Sequence, residues 1–443
     1  MNPEFQRQCW LELSVARVTL MGGSLAALFM LMAFIDAETG TGVALPAVAA
    51  ATFVALSLAW GGQRAGDAML VELRDRTWDT QRLSALGSWR MVWGKWLGAT
   101  SLTWLSGGVC LAVFMLSAKQ FEFSIRALLG IQAVTGAVFV QGLSLIGALA
   151  SAGHPKRNKG PVGARLIAVI GGLVFAYFAF RLGDDELVRW YGRDYPALSF
   201  TTCLVVATTA WVVVGAYRMM CNELQVRAMP WLWLIFLLYV SAVITGFFSA
   251  GIGTLTNLRT TAVSGLLCTV LAAYLCAFTL FRDPLALRRL VRYGRDGEWR
   301  RFGEAVPLWL CSLALSVMWV AISMALSGGV IAPQKPVENL GFVGVPLLLF
   351  VIRDLLILLA ASNFARPDRA EMTTALTLGL LYWLAPALFE MLGLETVSQL
   401  LRPAFWTDPV SASVLLLIQI ALCTAWAYRL YRIRAAPRTA ATA

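Results

Sequence analysis

Charged residues concentrate in one segment of this chain, between its second and third long apolar runs. The segment carries Glu72, Arg74, Asp75, Arg76, Thr77, Trp78, Asp79, Arg82, Gly94 and Lys95. The spacing predicts two short helices that are separated at Gly87, with Ser88 capping the second. It also places Glu72 four residues before Arg76, a favourable ion pair on a helix. A charged, helix-competent segment of this kind needs a partner protein or a membrane surface, so these ten residues form a candidate docking site.

Polar residues inside apolar runs form a second set of candidates. Arg353 and Asp354 are adjacent within a long apolar run, where one charge costs about 2.5–3.5 kcal/mol on insertion scales. Adjacent helical residues point about 100° apart, so we expect that the two cannot neutralise each other. Each should instead pair with another helix, either lining a pathway or joining helices. Gln132 and Gln141 fall on opposite faces of one predicted helix, which favours hydrogen bonds between helices.

No residue pattern indicates catalysis or metal binding. The 8 cysteines are scattered without a C-x-x-C spacing, and His154 is the only histidine. One histidine cannot supply a zinc site or a catalytic triad. The nearest approach to a phosphate-binding loop, from Gly87 to Gly94-Lys95, has the wrong spacing and lacks Ser or Thr after the lysine. We therefore predict no catalytic residue, no metal site and no cofactor in this chain.

Composition predicts a membrane protein. Of the 443 residues, 59% are hydrophobic and 14% charged, whereas soluble domains average about 25% charged. About twelve apolar runs are long enough to cross a bilayer as helices. They lie at 15–35, 43–60, 96–118, 126–150, 164–181, 198–219, 231–250, 262–281, 306–327, 340–362, 372–392 and 410–430. The predicted fold class is an all-α integral membrane protein with about 12 transmembrane helices, because the runs are too uniformly apolar for barrel strands.

The net charge of +11 follows membrane topology. Lys and Arg fall mainly in alternate connections and at the termini, so the positive-inside rule predicts that both termini are cytoplasmic. This distribution argues against a nucleic-acid partner and leaves membrane lipid as the surface that the basic loops meet. Residues 3–14 have the spacing of a short helix lying at the inner interface.

The order of segments repeats along the chain. Asp75-Arg76-Thr77-Trp78 recurs as Asp296-Gly297-Glu298-Trp299, each after an apolar run and within a basic stretch. Six runs per half give both halves the same orientation, which predicts two parallel six-helix repeats at 1–219 and 220–443. A chance similarity between two basic loops is the alternative. A possible second docking site comprises Arg295, Asp296, Glu298 and Trp299.

The candidate docking segment resembles the matching segment of type-2 ATP-binding-cassette (ABC) exporter permeases. That family has Glu-x-x-x-x-Thr, an aromatic residue or Leu, an acidic residue, a turn, a basic residue and Gly-Lys entering the third span. The residues at these positions here are Glu72, Thr77, Trp78, Asp79, Gly87, Arg90, Gly94 and Lys95. Arg76 stands where the family usually has Gly, and Leu86-Gly87 stands where it usually has Pro.

The resemblance implies the permease subunit of an ABC exporter in a bacterial plasma (inner) membrane. The docking segment would include the coupling helix that fits a groove on an ATPase. A pair of separate ATPase subunits would bind ATP and Mg²⁺, the substrate would be lipid-like or amphipathic, and no second permease copy would be obligatory. The alternatives are a twelve-span secondary transporter without an ATPase and a membrane-embedded enzyme of lipid or polysaccharide synthesis.

Overall fold

The structure is a computed structural model that describes most of the chain. The described residues are 2–84, 86–152, 187–226, 230–249, 255–280, 284–327, 340–362, 370–401 and 409–435. They divide into two compact units, residues 1–188 with 194–228 and residues 189–193 with 229–443. Duplication of a six-span half, with its boundary between residues 219 and 220, stays a prediction.

In the first unit, the described secondary structure is helical apart from a few residues that belong to a short hairpin. Its elements are α1 (Pro3–Glu12), α2 (Val15–Thr39), α3 (Ala44–Phe53), a π-helical segment (Val54–Trp60), α4 (Gly61–Arg74), α5 (Trp78–Gln81), α6 (Ser88–Ala99), α7 (Ser101–Ser117), α8 (Phe123–Ala152) and α9 (Ala197–Glu223). Asn2 caps α1 by accepting the backbone N–H of Glu4, and Pro3 occupies the first turn, where its missing N–H costs nothing. The helix predicted over residues 3–14 is therefore present.

The second unit is also helical. Its elements are α10 (Trp231–Phe248), α11 (Leu255–Leu280), α12 (Pro284–Arg295), α13 (Trp299–Ala305), α14 (Leu308–Ser327), α15 (Leu340–Ser362), α16 (Ala370–Gly379), a π-helical segment (Leu380–Leu384), α17 (Ala385–Met391), α18 (Glu395–Leu401) and α19 (Pro409–Ala435). A short hairpin, β1 (Leu187–Trp190) and β2 (Arg193–Pro196), precedes α9 in the chain. Tyr191 and Gly192 both have positive φ at its two-residue turn, as a type I′ turn requires.

Most of the predicted apolar runs coincide with long helices. Within the described residues, 10 helices are long and apolar enough to cross a bilayer, and α6 with α7, bent by 60°, would make 11. The predicted run at 164–181 lies outside the described residues. The chain is an all-α, multi-pass membrane protein, whereas the number of twelve spans and the orientation of the termini stay predictions.

In each unit, a glycine leaves the space that a buried tryptophan ring occupies. In the first unit Trp96 is fully buried, and a Cβ at Gly142 would lie 2.7 Å from its ring. In the second unit a Cβ at Gly265 would overlap the indole of Trp319. Such close packing fixes the helices around each core, because an added methylene has no space to occupy.

Candidate docking site and buried polar clusters

The candidate docking segment turns sharply after α4. The backbone N–H of Thr77 donates to Glu72 O at 3.0 Å, the N–H of Arg76 donates to Leu73 O at 3.4 Å, and Arg76 has φ +58°. This is the Schellman pattern that ends a helix with one left-handed residue. The predicted helical ion pair between Glu72 and Arg76 is therefore wrong, because the helix ends at Arg74. We call residues 74–79 the first corner.

Glu72 pairs instead with two cations that are remote in sequence. Its carboxylate contacts the ammonium of Lys95 and the guanidinium of Arg7. Lys95 is fully buried, and its Nζ also lies 3.3 Å from Glu4 Oε1 and 2.6 Å from Gln81 Oε1. An unpaired buried charge is costly, so these residues hold α1, α4 and α6 together as one network.

Helix α1 supplies the partners that sequence reasoning missed. Glu4, Gln8 and Glu12 are spaced four apart and buried, so they form a polar stripe that faces protein. The outward face carries Trp10, which is 83% exposed. The i, i+4 spacing of these polar residues could have indicated this role. It places them on one face of an interfacial helix, and such a face needs polar or charged partners when it packs against protein.

Two glycines of α6 let α1 approach closely. A Cβ at Gly94 would lie 2.8 Å from Glu4 Cβ, and one at Gly98 would lie 2.5 Å from Gln8 Cβ. Gly94 and Gly98 form a G-x-x-x-G spacing, which brings helix backbones together in membrane proteins. The Gly94-Lys95 pair therefore has a local structural role: the glycine admits α1 and the lysine pairs with its carboxylate.

Electrostatics favour the ionised forms of Glu4 and Arg7. Burial disfavours the charged form of Glu4, but the hydrogen bond from Arg7 at 2.8 Å and the charge of Lys95 outweigh it, so the pKa of Glu4 is lowered. The hydrogen bond to Glu4 raises the pKa of Arg7. Glu12 extends the network through ion pairs with Arg64 and with Arg17.

The ten predicted docking residues divide into a buried set and an exposed set. The buried residues are Glu72, Trp78, Gly94 and Lys95. The exposed residues are Arg74, Asp75, Arg76, Thr77 and Asp79, while Arg82 is partly exposed and lies 3.5 Å from Asp79. The predicted capping role of Ser88 is wrong, because Ser88 is itself the first residue of α6 and Gly87 stands at the cap without a side-chain bond. Only the exposed set can touch a partner.

The second unit contains a turn of the same kind, which we call the second corner, residues 295–302. The N–H of Gly297 donates to Gly294 O at 3.4 Å, the N–H of Glu298 donates to Tyr293 O at 3.0 Å, and Gly297 has φ +72°. Both Asp-x-x-Trp sequences thus adopt one backbone pattern. Their tryptophans differ, because Trp78 is 3% exposed and Trp299 is 71% exposed.

Arg353 and Asp354 form a buried polar cluster in the second unit. Arg353 Nη2 lies 3.0 Å from Asp354 Oδ1, so the expectation that adjacent residues could not pair is wrong. The long Arg353 side chain bends so that its guanidinium reaches Asp354, because an unpaired buried charge would be strongly destabilising. Each residue also reaches other helices: Asp354 accepts from the hydroxyls of Tyr274 at 2.6 Å and Tyr382 at 2.7 Å, and Arg353 donates to Gln419 at 2.6 Å.

The two glutamines of α8 behave differently. Gln141 Oε1 accepts from the indoles of Trp96 at 3.1 Å and Trp104 at 3.2 Å, and its Nε2 donates to Ser57 O at 2.8 Å. Ser57 belongs to the π-helical segment, whose irregular hydrogen bonding leaves carbonyl groups for such partners. Gln132 is buried with no partner for its Oε1. The expected interhelical bonds are thus found at Gln141, whereas the side-chain oxygen of Gln132 makes none.

Among the described residues, no group of three or more His, Cys, Asp or Glu side chains could hold a metal ion. His154 lies outside them. No protein-family model, curated protein or solved structure matches this chain.

Proposed function

We propose that this chain is the permease subunit of an ABC exporter, moving a lipid-like or amphipathic substrate. It would pair with two separate ATPase subunits that bind ATP and Mg²⁺, and it would supply both permease halves without an obligatory second copy. The membrane is proposed to be a bacterial plasma (inner) membrane, with both termini cytoplasmic. The resemblance at residues 72–95 supports this proposal.

The first corner carries the proposal. Its five exposed polar residues project from a turn whose neighbours are buried in the network of Glu72 and Lys95. A partner that pressed on the corner would move α4, α6 and α1 together, because buried ion pairs join them. A coupling element must expose residues to its partner and must also be joined rigidly to the helices that it moves. Closure of the ATPases would then tilt the spans of the first unit.

Charge reversal at the exposed residues tests docking without disrupting the buried ion-pair network. Asp75→Lys with Asp79→Lys should abolish co-purification of an ATPase subunit while the permease stays inserted and monodisperse. Glu122→Lys is a matched control, because Glu122 is also an exposed carboxylate but lies before α8. Glu72 is unsuitable for this test, since its reversal would break the buried network. If the chain purifies alone and stable from its native membrane, the secondary-transporter alternative replaces the proposal.

A further inference from the structure

The second corner differs from the first in charge although its backbone is the same. Between residues 288 and 304 six arginines face three carboxylates, a net charge of +3. The matching residues 67–83 hold three arginines and four carboxylates, a net charge of −1. The two stretches share a backbone pattern but have net charges of opposite sign, which indicates that the two corners meet different partners.

Helix α12 has one basic face. Arg288, Arg292 and Arg295 repeat at i, i+4 and i+7, and all three are exposed. Leu290 lies on the other side and is buried, while Val291, which borders the basic face, is 69% exposed. Arginines beside an exposed apolar side chain are typical of helices that lie in a membrane interface.

Helix α13 adds an exposed aromatic side chain to this surface. Trp299 packs edge-on against Phe302 at 6.0 Å between ring centroids, and Phe302 covers Gly294 of α12. The arginines that follow, Arg300 and Arg301, are exposed. Tryptophan flanked by arginine is the side-chain pair that sits at the boundary of headgroups and acyl chains.

We propose that the second corner and the basic face of α12 bind anionic phospholipid headgroups of the inner leaflet, with Trp299 entering the acyl boundary. This rests on the cytoplasmic orientation in the proposed function. The occupant is anionic lipid because its charge complements the net +3 surface and its acyl region accommodates an exposed indole. The second corner is then a lipid-binding counterpart of the first, and not a second ATPase dock.

Paired arginine variants test the charge requirement. Arg292→Gln with Arg295→Gln should weaken binding of phosphatidylglycerol, titrated into the detergent-solubilised chain and followed by native mass spectrometry. The expected loss is about fivefold per arginine, or roughly 25-fold for both. Arg74→Gln with Arg76→Gln removes two exposed arginines from the first corner and should change binding less than about twofold. Equal losses in both variants would overturn the proposal, because they would show general attraction to basic loops.

Photo-crosslinking tests the apolar contact independently. Benzoylphenylalanine placed at position 299 of the chain in nanodiscs of equal phosphatidylcholine and phosphatidylglycerol should give a phospholipid adduct. The same group at position 79, an exposed site next to the first corner's Trp78, should not. In native membranes, a cross-link from position 299 to an ATPase peptide would overturn lipid binding. Neither readout requires an ATPase at the first corner, so failure here is distinct from failure of the proposed function.

Discussion

Lys95 shows how one buried side chain ties three helices together. It neutralises Glu72 and Glu4 at a position with no access to water. Sequence reasoning selected both Glu72 and Lys95 but assigned them to a docking surface, because a pairing across 23 residues depends on helix packing that no local pattern encodes. Local propensity was equally uninformative at Arg76, which occupies a left-handed capping position although arginine is a good helix former.

Replacing Lys95 should destabilise the protein strongly. Lys95→Met leaves the carboxylates of Glu72 and Glu4 without their buried cation, at a cost of about 3–5 kcal/mol. The double variant Lys95→Met, Glu72→Met should recover much of this loss, because Arg7 still pairs with Glu4 at 2.8 Å. Thermal unfolding in detergent measures both. A double variant no more stable than the single one would contradict the network.

Gly98 should tolerate no side chain. Gly98→Val would overlap Gln8 and push α1 off α6, at a cost of about 1–3 kcal/mol. Trypsin cleavage after Arg7, followed by mass spectrometry, reports the release of α1. Gly108→Val is the control, because nothing lies within 4 Å of a Cβ at Gly108. Equal cleavage in the two variants would show that α1 does not need the glycine.

The attachment of α1 should weaken in acid. The pKa of Glu4 is lowered in the folded chain, so its ionic contacts contribute stability above the unfolded-state value of about 4.3. That stability is lost as pH falls through the lowered pKa. The protection factors of the α1 amides, which correct for the slower intrinsic exchange in acid, should therefore fall below about pH 4, and the fall should shrink in Glu4→Gln. An unchanged pH profile in that variant would assign the effect to another group.

At the scale of elements, sequence patterns located helices and charged segments correctly but not the side-chain pairs between them. Hydropathy located the described spanning helices, and the charge pattern located the segment at 72–95. At Arg353 and Asp354, helical periodicity was right that each contacts another helix and wrong that the two cannot pair, because a helical wheel ignores the bending of side chains. The guanidinium is long enough to reach the next residue while Gln419 binds its other end.

The cluster around Asp354 should hold together α11, α15, α19 and the π-helical segment Leu380–Leu384. Tyr274→Phe and Tyr382→Phe each remove one hydrogen bond to a carboxylate, so each should cost about 1.5–3 kcal/mol of unfolding free energy. Asp354→Asn should cost more, because it leaves Arg353 without its counter-ion. Chemical unfolding in detergent provides the measurement. Three stable variants would show that the cluster does not hold these helices together.

At the scale of the whole molecule, the membrane class followed from composition because spanning helices need long apolar runs whatever their neighbours are. The partner-facing residues were harder to identify. Charge alone cannot distinguish Glu72, buried in a network, from Asp79, whose side chain is 80% exposed. Only the three-dimensional structure distinguishes the residues of the buried network from those that can contact a partner.

The most direct test of the account is a cross-link from the first corner in the native membrane. Benzoylphenylalanine at position 79 should capture a nucleotide-binding ATPase subunit, identified by mass spectrometry, since Asp79 is exposed like Asp75 and Arg76. The same group at position 122 should capture none. Capture of lipid alone from position 79, in a stable and inserted chain, would contradict the docking role and with it the proposed exporter.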